Sequence, residues 1–298
     1  MSSLNLSKNL KSSSVISDLL NTSKNNAIKQ ESDINLLVPY RRHPFKLYED
    51  ERLHKMIESI KRHGVLSSII VRQIEDNKYE ILSGHNRVNA AKLAGLKTVP
   101  IEIRNVDDDI ADIIVVDSNF VQRIDFLPSE RAKAYKLQLD ALNRQGKKND
   151  FCPIGTEVEN SRDIVAKNND TSSVQIQRFI RLNYLVEELL DMVDNKNLSF
   201  RPAVEISYID VETQNNIIEV IESGFKISLK QAKLLRQESV NEILTFEDII
   251  ELLAVKEEVK RNINIPFDKI KNHFNDINTS DEEIVDKIIK LLNSQSKT

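Results

Sequence analysis

Two short segments within residues 161–185 have the residue types of a nucleic-acid-binding motif: the first could support the second, and the second could contact base edges and phosphates. The first, Arg162–Lys167, offers apolar residues to a core and a small alanine where two helices can cross closely. Asn168–Asp170 then supplies residue types that tolerate left-handed backbone angles in a turn. Thr171 or Ser172 is suited to cap a second helix. The spacing therefore predicts a helix-turn-helix.

The second helix is predicted to face the core with Ile176, Phe179 and Ile180 and to turn a polar face outward. Hydroxyl, amide and guanidinium groups can bond base edges and phosphates in a DNA major groove. Residues 171–185 include two arginines and no acidic residue, although the net charge of the chain is −4. The predicted DNA-contacting residues are Thr171, Ser172, Ser173, Gln175, Gln177, Arg178 and Arg181. Spacing alone also fits two ordinary surface helices of a helical bundle.

A second candidate site is the glycine turn at residues 83–87. It lies between a predicted strand and a predicted helix, where backbone N–H groups and the helix dipole can receive an anion. Arg87 would add charge-assisted hydrogen bonds to a phosphate. The alternative is structural: Arg87 would pair with a carboxylate such as Glu80 or Asp117, and His85 would cap the helix.

These two sites need elements to position them. Predicted helices span residues 49–63 and 88–94, and further helices begin at the acidic run 107–109 and at Pro128. Predicted strands are Ile69–Val71, Tyr79–Leu82 and Val99–Ile103, with Asp76–Asn77 as a hairpin turn. With only 6 Gly and 7 Pro in 298 residues, a helix-rich chain of two or three modules is expected.

Composition excludes several classes of protein. No apolar run is long enough to span a membrane, and the single cysteine, Cys152, cannot form an internal disulfide. The N-terminus lacks the apolar segment of a secretory signal, so a cytoplasmic location is expected. Residues 1–35 contain nine Ser and six Asn, which predicts a flexible tail in which Val15, Ile16, Leu19 and Leu20 could become helical on a partner.

Taken in order, these motifs resemble those of the ParB family of plasmid and chromosome partition proteins. The resemblance runs from about His43 to about Tyr208. Three boxes carry it: Gly64–Ile69, Gly84–Ala90 followed by Ala94–Gly95, and Asn119–Glu130. The QIQRFIRL at residues 175–182 and the segments 190–194 and 200–208 are similar to a subgroup found on plasmids and mobile elements of low-GC Gram-positive bacteria.

The resemblance implies a homodimer that binds a centromere-like inverted repeat in double-stranded DNA. It also implies a ParA-type ATPase as partner, loaded through the Lys-containing tail, so that deleting residues 1–30 should abolish ATPase stimulation and spare DNA binding. Several family members are clamps gated by CTP with Mg²⁺. The residues that this implies for nucleotide are Gly84, His85, Asn86, Arg87, Asn119, Gln122 and Arg123, with Asn119 also at the metal.

The chain departs from the family boxes at several positions. His85, Asn86 and Asn89 stand where the family has Glu, Arg and Arg, so two phosphate-contacting charges are missing. The acidic residue of the later box is also absent unless Asp117 substitutes for it. Binding of CTP, and weak hydrolysis of it, are therefore open questions at the level of sequence.

The expected fold class is α+β: a small mixed α/β ParB-like domain over residues 36–120, a helix-turn-helix domain over 121–236 and a helical, dimerising C-terminal region over 237–298. Plain core packing within one subunit fits the C-terminal apolar stripe equally well. Alternative functions are a transcriptional or replication regulator of the same fold, and a nucleotide hydrolase or nuclease. Against a nuclease, the boxes lack clustered Asp, Glu and His at metal-ligand spacing, and Asp107–Asp109 fits a helix N-terminus.

Overall fold

The computed structural model describes residues 16, 20, 27–75, 77–123, 125–148, 160–240, 242–254, 285–286 and 288–290. The chain divides into two units, Met1–Ala254 and Val255–Thr298. In the second unit the described residues, 285–286 and 288–290, are helical. The rest of the predicted dimerisation stripe lies outside the described residues.

A five-stranded mixed sheet forms the N-terminal part of the first unit. Its strands are β1 (Ile28–Asp33), β2 (Leu37–Pro39), β3 (Ile69–Glu75), β4 (Lys78–Ser83) and β5 (Thr98–Ile103). They are arranged in the order β1-β5-β3-β4-β2. The β3–β4 and β1–β5 pairs are antiparallel, and the β2–β4 and β3–β5 pairs are parallel. The hairpin turn between β3 and β4 contains Asn77 at a φ of 63°, a left-handed angle that asparagine tolerates.

Three helices accompany the sheet: α1 (Asp50–His63), α2 (His85–Leu93) and α3 (Asp108–Gln122). Asp107 caps α3 by accepting a hydrogen bond from the Ile110 N–H at 2.9 Å, and two further acids lie in its first turn. This is the arrangement that the acidic run predicts, because carboxylates stabilise a helix N-terminus. The buried apolar faces of the sheet and of these helices form the core that fixes the β4–α2 turn.

The next helices build the region predicted to bind DNA. They are α4 (Pro128–Lys148), α5 (Ser161–Asn168) and α6 (Ser173–Arg181), followed by a 3₁₀ turn at Leu182–Tyr184. Asp170 adopts a φ of 48° in the turn between α5 and α6. Ser172, rather than Thr171, caps α6 by accepting from the Gln175 N–H at 3.2 Å.

Five more helices follow: α7 (Glu187–Asp194), α8 (Phe200–Ile206), α9 (Val211–Glu222), α10 (Leu229–Glu238) and α11 (Phe246–Ala254). They share one hydrophobic cluster, and Ile249 of α11 is fully buried in it. The boundary predicted after residue 236 therefore does not coincide with a break in this core.

The mixed α/β part followed by helices is the fold class that the sequence predicts. Two strands were missed, because β1 is polar and β2 is only three residues long. The prediction of a flexible tail over residues 1–35 is wrong for residues 28–35, since these lie in β1 and in the 3₁₀ turn Ile34–Leu36. Among the described residues, every helix is too short or too polar to cross a membrane.

Candidate functional site

The turn between β4 and α2 depends on Gly84. This residue caps α2 and has a φ of 106° and a ψ of 21°, in the left-handed region that favours glycine. A Cβ at this position would lie 2.7 Å from Ile69 Cδ1 and 3.0 Å from Arg87 Nη2. The turn therefore leaves room for glycine only, and it places the N-terminus of α2 at the surface of a cavity.

The two boxes that the sequence separates by about 35 residues meet at this cavity. It has a volume of about 210 Å³. Its lining residues are Tyr48, Met56, Ser83, Gly84, His85, Asn86, Arg87, Asn119 and Arg123. Six of the seven residues predicted for nucleotide are among them. The seventh, Gln122, lies in the last turn of α3, and its side chain is outside the described residues.

Arg87 lies in the wall of this cavity without a carboxylate partner among the described residues. Its guanidinium donates to the carbonyl oxygens of Ser67 at 2.6 Å and Ser68 at 3.1 Å. The predicted salt bridges are wrong, because Glu80 pairs with Arg72 at 2.7 Å and Asp117 accepts from Asn168 at 3.2 Å. Burial lowers the pKa of Arg87, because desolvation disfavours the charged guanidinium.

His85 is buried beneath the turn and stacks on a second histidine. Its Nε2 accepts a hydrogen bond from the Tyr40 N–H at 3.2 Å, which assigns the ring proton to Nδ1. That Nδ1 is buried and has no hydrogen-bond partner among the described residues, and the ring centroid lies 3.7 Å from that of His43. Burial lowers the pKa of His85 to about 2 and that of His43 to about 4. Since Gly84 occupies the cap position, the alternative of His85 as a helix cap is wrong.

Asn86 stands where the family has an arginine, and it holds the opposite wall of the cavity. Its Oδ1 accepts from the Tyr48 N–H at 2.7 Å. Glu130, which is 2% exposed, accepts from the Lys46 N–H at 2.8 Å and from the Leu127 N–H at 3.0 Å. These contacts fix the segment before α1 beside the glycine turn.

Arg123 closes the cavity on the side of α4. It pairs with Glu130 at 3.4 Å, and its guanidinium lies 5.3 Å from the Tyr48 ring and 5.0 Å from the Phe126 ring. Its buried Nε has no hydrogen-bond partner in the part of the chain that the structure describes. Sequence reasoning missed Tyr48 and Glu130 as parts of this site, although Glu130 is the last residue of the third box.

The donor set of the cavity fits phosphate better than it fits a metal. Backbone N–H groups at a helix N-terminus and two arginines are phosphate ligands. No carboxylate is among the described residues that line the cavity, whereas Mg²⁺ is usually held by one or two carboxylates. Asn119 uses its Nδ2 to donate to the Val115 carbonyl at 2.8 Å, and Asp117 lines a different cavity, beside Asn168. Within the described part of the chain, no three His, Cys, Asp or Glu side chains form a metal-type cluster.

The second candidate surface is the outer face of α6. Ile176 is fully buried, Gln175 and Arg178 are partly buried, and Val174 and Gln177 are exposed. Gln177 is exposed and accepts from Arg162 of α5 at 3.3 Å. Of the predicted hydroxyls, Ser172 is engaged as the cap, Ser173 donates to Asp163, and Thr171 is partly buried before the helix begins.

Arg181 is placed differently from the other predicted DNA contacts. Its guanidinium donates to the Ser207 carbonyl and, at 3.2 Å, to Ser207 Oγ. It lies 3.9 Å from the centre of the Tyr208 ring and 4.3 Å from that of Tyr184. Arg236 covers the Tyr208 ring at 3.7 Å. Arg181 therefore joins α6 to the end of α8 instead of lying free on the outer face.

Comparison with known proteins identifies the family. The family model described as the ParB N-terminal domain matches residues 18–120, which include the whole sheet and α1 to most of α3. A nucleoid occlusion protein of Listeria monocytogenes serotype 4a is 25% identical over 247 residues, which cover 81% of this chain and 78% of that protein. Residues 18–120 of this chain are therefore a ParB N-terminal domain, and the relatives extend the similarity over most of the chain. The family predicted from the sequence is thus confirmed, while the subgroup stays a prediction.

Two solved ParB structures, both from Caulobacter crescentus, are also similar. The C-terminally truncated chromosome-partitioning protein complexed to the centromeric parS site is 26% identical, with a TM-score of 0.42, and the match covers 70% of this chain and 99% of that chain. The C-terminally truncated protein complexed with CTPγS is 27% identical, with a TM-score of 0.29, and the match covers 65% of this chain and 99% of that chain.

Proposed function

We propose that this ParB protein binds double-stranded DNA sequence-specifically through the α5–α6 pair. The observation that carries the proposal is α6 itself. Its Ile176 is buried, its Gln177 is exposed, Gln175 and Arg178 are partly exposed, and residues 171–185 include no acidic residue. Such a helix can enter a major groove, where bidentate amide and guanidinium contacts distinguish base pairs. Membership of the ParB family supports this function.

The test uses DNA fragments recovered by genome-wide immunoprecipitation of the protein. Gln177→Ala is expected to cost roughly 1–3 kcal/mol of discrimination between the recovered site and a scrambled duplex. The matched control is Gln237→Ala, in a glutamine that lies on α10 and not on α6. Equal discrimination by wild type and Gln177→Ala would contradict the proposal that this residue reads a base.

We also propose that the cavity at Gly84 binds the triphosphate of a nucleotide, and the family resemblance indicates CTP. The α2 N-terminus, Arg87 and Arg123 would hold the phosphates, and a bound triphosphate would supply the counter-charge that Arg87 lacks. Mg²⁺ would be held mainly by the phosphates and water, with Asn119 as the one predicted protein ligand, because the described lining of the cavity contains no carboxylate. Weak hydrolysis of CTP remains part of this proposal.

Titration of the purified protein with labelled CTP, with and without its DNA site, tests the nucleotide proposal. We expect binding by wild type and a loss of at least tenfold in Arg87→Gln, which keeps hydrogen-bonding capacity but removes the charge. Arg62→Gln is the matched control, because Arg62 lies in the last turn of α1 and does not line the cavity. Absence of CTP binding under both conditions would end the proposal.

DNA binding by this protein could serve one of several biological roles. Partition requires a ParA-type ATPase and a homodimer on an inverted repeat, whereas the Listeria relative is named a nucleoid occlusion protein. A regulatory role in transcription or replication is the further alternative. We propose partition as the function to be tested first. Two observations would support it: an ATPase gene adjacent to this gene, and loss of a replicon from cells in which this gene is deleted. Stable inheritance in such cells would favour the alternatives.

A further inference from the structure

The N-terminal segment supplies two side chains to the core of the protein. Ile16 and Leu20 both have helical backbone conformation, and both contact the core. Ile16 is only 2% exposed, and Leu20 is partly buried. An isoleucine buried to this extent behaves as part of a core and not as part of a solvated tail.

Ile16 belongs to the hydrophobic cluster that forms the back of the α5–α6 pair. This cluster contains Val165 and Ala166 from α5 and Ile176 from α6, together with residues of α3 and α4. The outer face of α6 carries the proposed DNA contacts, and the inner face of the same helix packs in the cluster that Ile16 completes. Loss of the Ile16 side chain would leave a cavity in this cluster.

Leu20 extends the contact toward the sheet. It packs against the cluster of Ile16 and also against a second cluster, which contains Tyr40, Leu82 of β4 and Ile114 of α3. The segment thus contacts both the helices of the proposed DNA-binding region and the core next to the β4–α2 turn.

We propose that the segment around Ile16 and Leu20 is an intramolecular staple that holds the α5–α6 pair in its DNA-binding arrangement. The part of the proposal that concerns DNA rests on the proposed function. A binding partner that captures this segment must first withdraw Ile16 from the core behind α6. Capture of the segment and DNA binding therefore oppose each other, because whatever stabilises the withdrawn state weakens the ordered helix pair.

This proposal changes one expectation from the sequence. Deleting residues 1–30 was expected to spare DNA binding, on the assumption that they form a free tail. With Ile16 in the core, the same deletion removes part of the support of α6, so we expect weaker DNA binding.

The experiment compares full-length Ile16→Ala with full-length Ile28→Ala. The second variant is a matched control, since Ile28 is in the same N-terminal region but is 62% exposed. Hydrogen exchange of the free protein is measured for α5, α6 and the central strands β3 and β4. We expect exchange in α5 and α6 to be at least about tenfold faster in Ile16→Ala than in wild type, with β3 and β4 unchanged. Ile16→Val, which keeps most of the side chain, should restore protection.

DNA binding gives the second measurement. The affinity of Ile16→Ala for the recovered site should fall by about tenfold or more, while Ile28→Ala should bind like wild type. Exchange in α5 and α6 that is equal in Ile16→Ala and Ile28→Ala would overturn the proposal. A loss of protection as large in β3 and β4 as in α6 would also overturn it, since it would show a general core contact. If wild type binds no DNA, the proposed function fails, whereas the exchange comparison still tests the staple.

Discussion

At the scale of single residues, Gly84 is required by the space around it as well as by its backbone angles. Gly95 offers a matched comparison, because it also has a positive φ, 84°, but nothing lies within 4 Å of a Cβ placed there. Both Gly84→Ala and Gly95→Ala carry the cost of a left-handed alanine, roughly 1–2 kcal/mol. Chemical denaturation should show a larger loss for Gly84→Ala, which must also displace Ile69 or Arg87. Equal losses would contradict this account of the turn.

The stacked pair of His43 and His85 predicts a pH dependence of stability. Burial holds the pKa of His43 at about 4, below the value of about 6.5 expected in the unfolded chain. The unfolded state therefore binds more protons between these values, so stability should fall as the pH drops from about 6.5 toward 4. Charged groups that face His43 are Arg123, which lowers its pKa, and Glu130, which raises it.

The measurement is the free energy of unfolding as a function of pH in wild type and in His43→Phe. The variant should lose part of the acid-induced fall, roughly 1–3 kcal/mol by pH 4. His54→Phe is the control, because that histidine is on α1. Identical pH profiles for wild type and His43→Phe would show that the pair is not titrating as described.

At the scale of secondary structure, two arginines of the same helix have different expected roles: Arg178 as a DNA contact and Arg181 as a structural contact between helices. Arg178 is on the outer side of α6, whereas Arg181 is held by Ser207 and Tyr208. If Arg178 contacts a phosphate, Arg178→Ala should reduce the slope of log affinity against log salt by about 1. Arg181→Ala should leave that slope unchanged and lower the free energy of unfolding by about 1 kcal/mol.

Arg181→Lys distinguishes the roles further, because lysine keeps the charge but loses the planar stack on Tyr208. We expect this variant to be destabilised nearly as much as Arg181→Ala in chemical denaturation. A reduced salt slope for Arg181→Ala would return this residue to the predicted DNA contacts.

Most of the helices could be predicted from the sequence, whereas some strands and side-chain positions could not. Periodic apolar residues and caps predicted α1, α3, α4, α5 and α6 within a few residues, since those signals are local. β1 was missed because only one of its six residues is buried, so it carries no apolar alternation. The position of Arg181 could not be predicted either, because its partners Ser207 and Tyr208 are about 26 residues away in sequence.

At the scale of the whole first unit, aromatic rings connect the cavity at Gly84 with α6. Phe45 contacts Phe120 at 5.9 Å between ring centroids, Phe120 contacts Tyr135 at 5.4 Å, and Tyr135 contacts Phe179 of α6 at 5.6 Å. Arg123, in the wall of the cavity, stacks on Phe126, which packs on Phe120 at 4.8 Å. Sequence reasoning found both ends of this connection, but its middle depends on tertiary packing that local patterns do not encode.

This packing predicts that nucleotide and DNA affect each other's binding through Phe120. By thermodynamic reciprocity, the factor by which CTP changes the affinity for DNA must equal the factor by which DNA changes the affinity for CTP. Phe120→Leu keeps an apolar side chain but shortens the aromatic contact. It should reduce that common factor severalfold, a change of about 0.5–2 kcal/mol in coupling, while each ligand alone binds nearly as in wild type. Fluorescence titrations of each ligand in the absence and presence of the other measure the factor, with Phe225→Leu, which replaces an exposed phenylalanine, as control. If the factor is the same in Phe120→Leu and in wild type, the aromatic contact of Phe120 contributes nothing to the coupling free energy between CTP and DNA. The two sites would then be coupled, if at all, by another route.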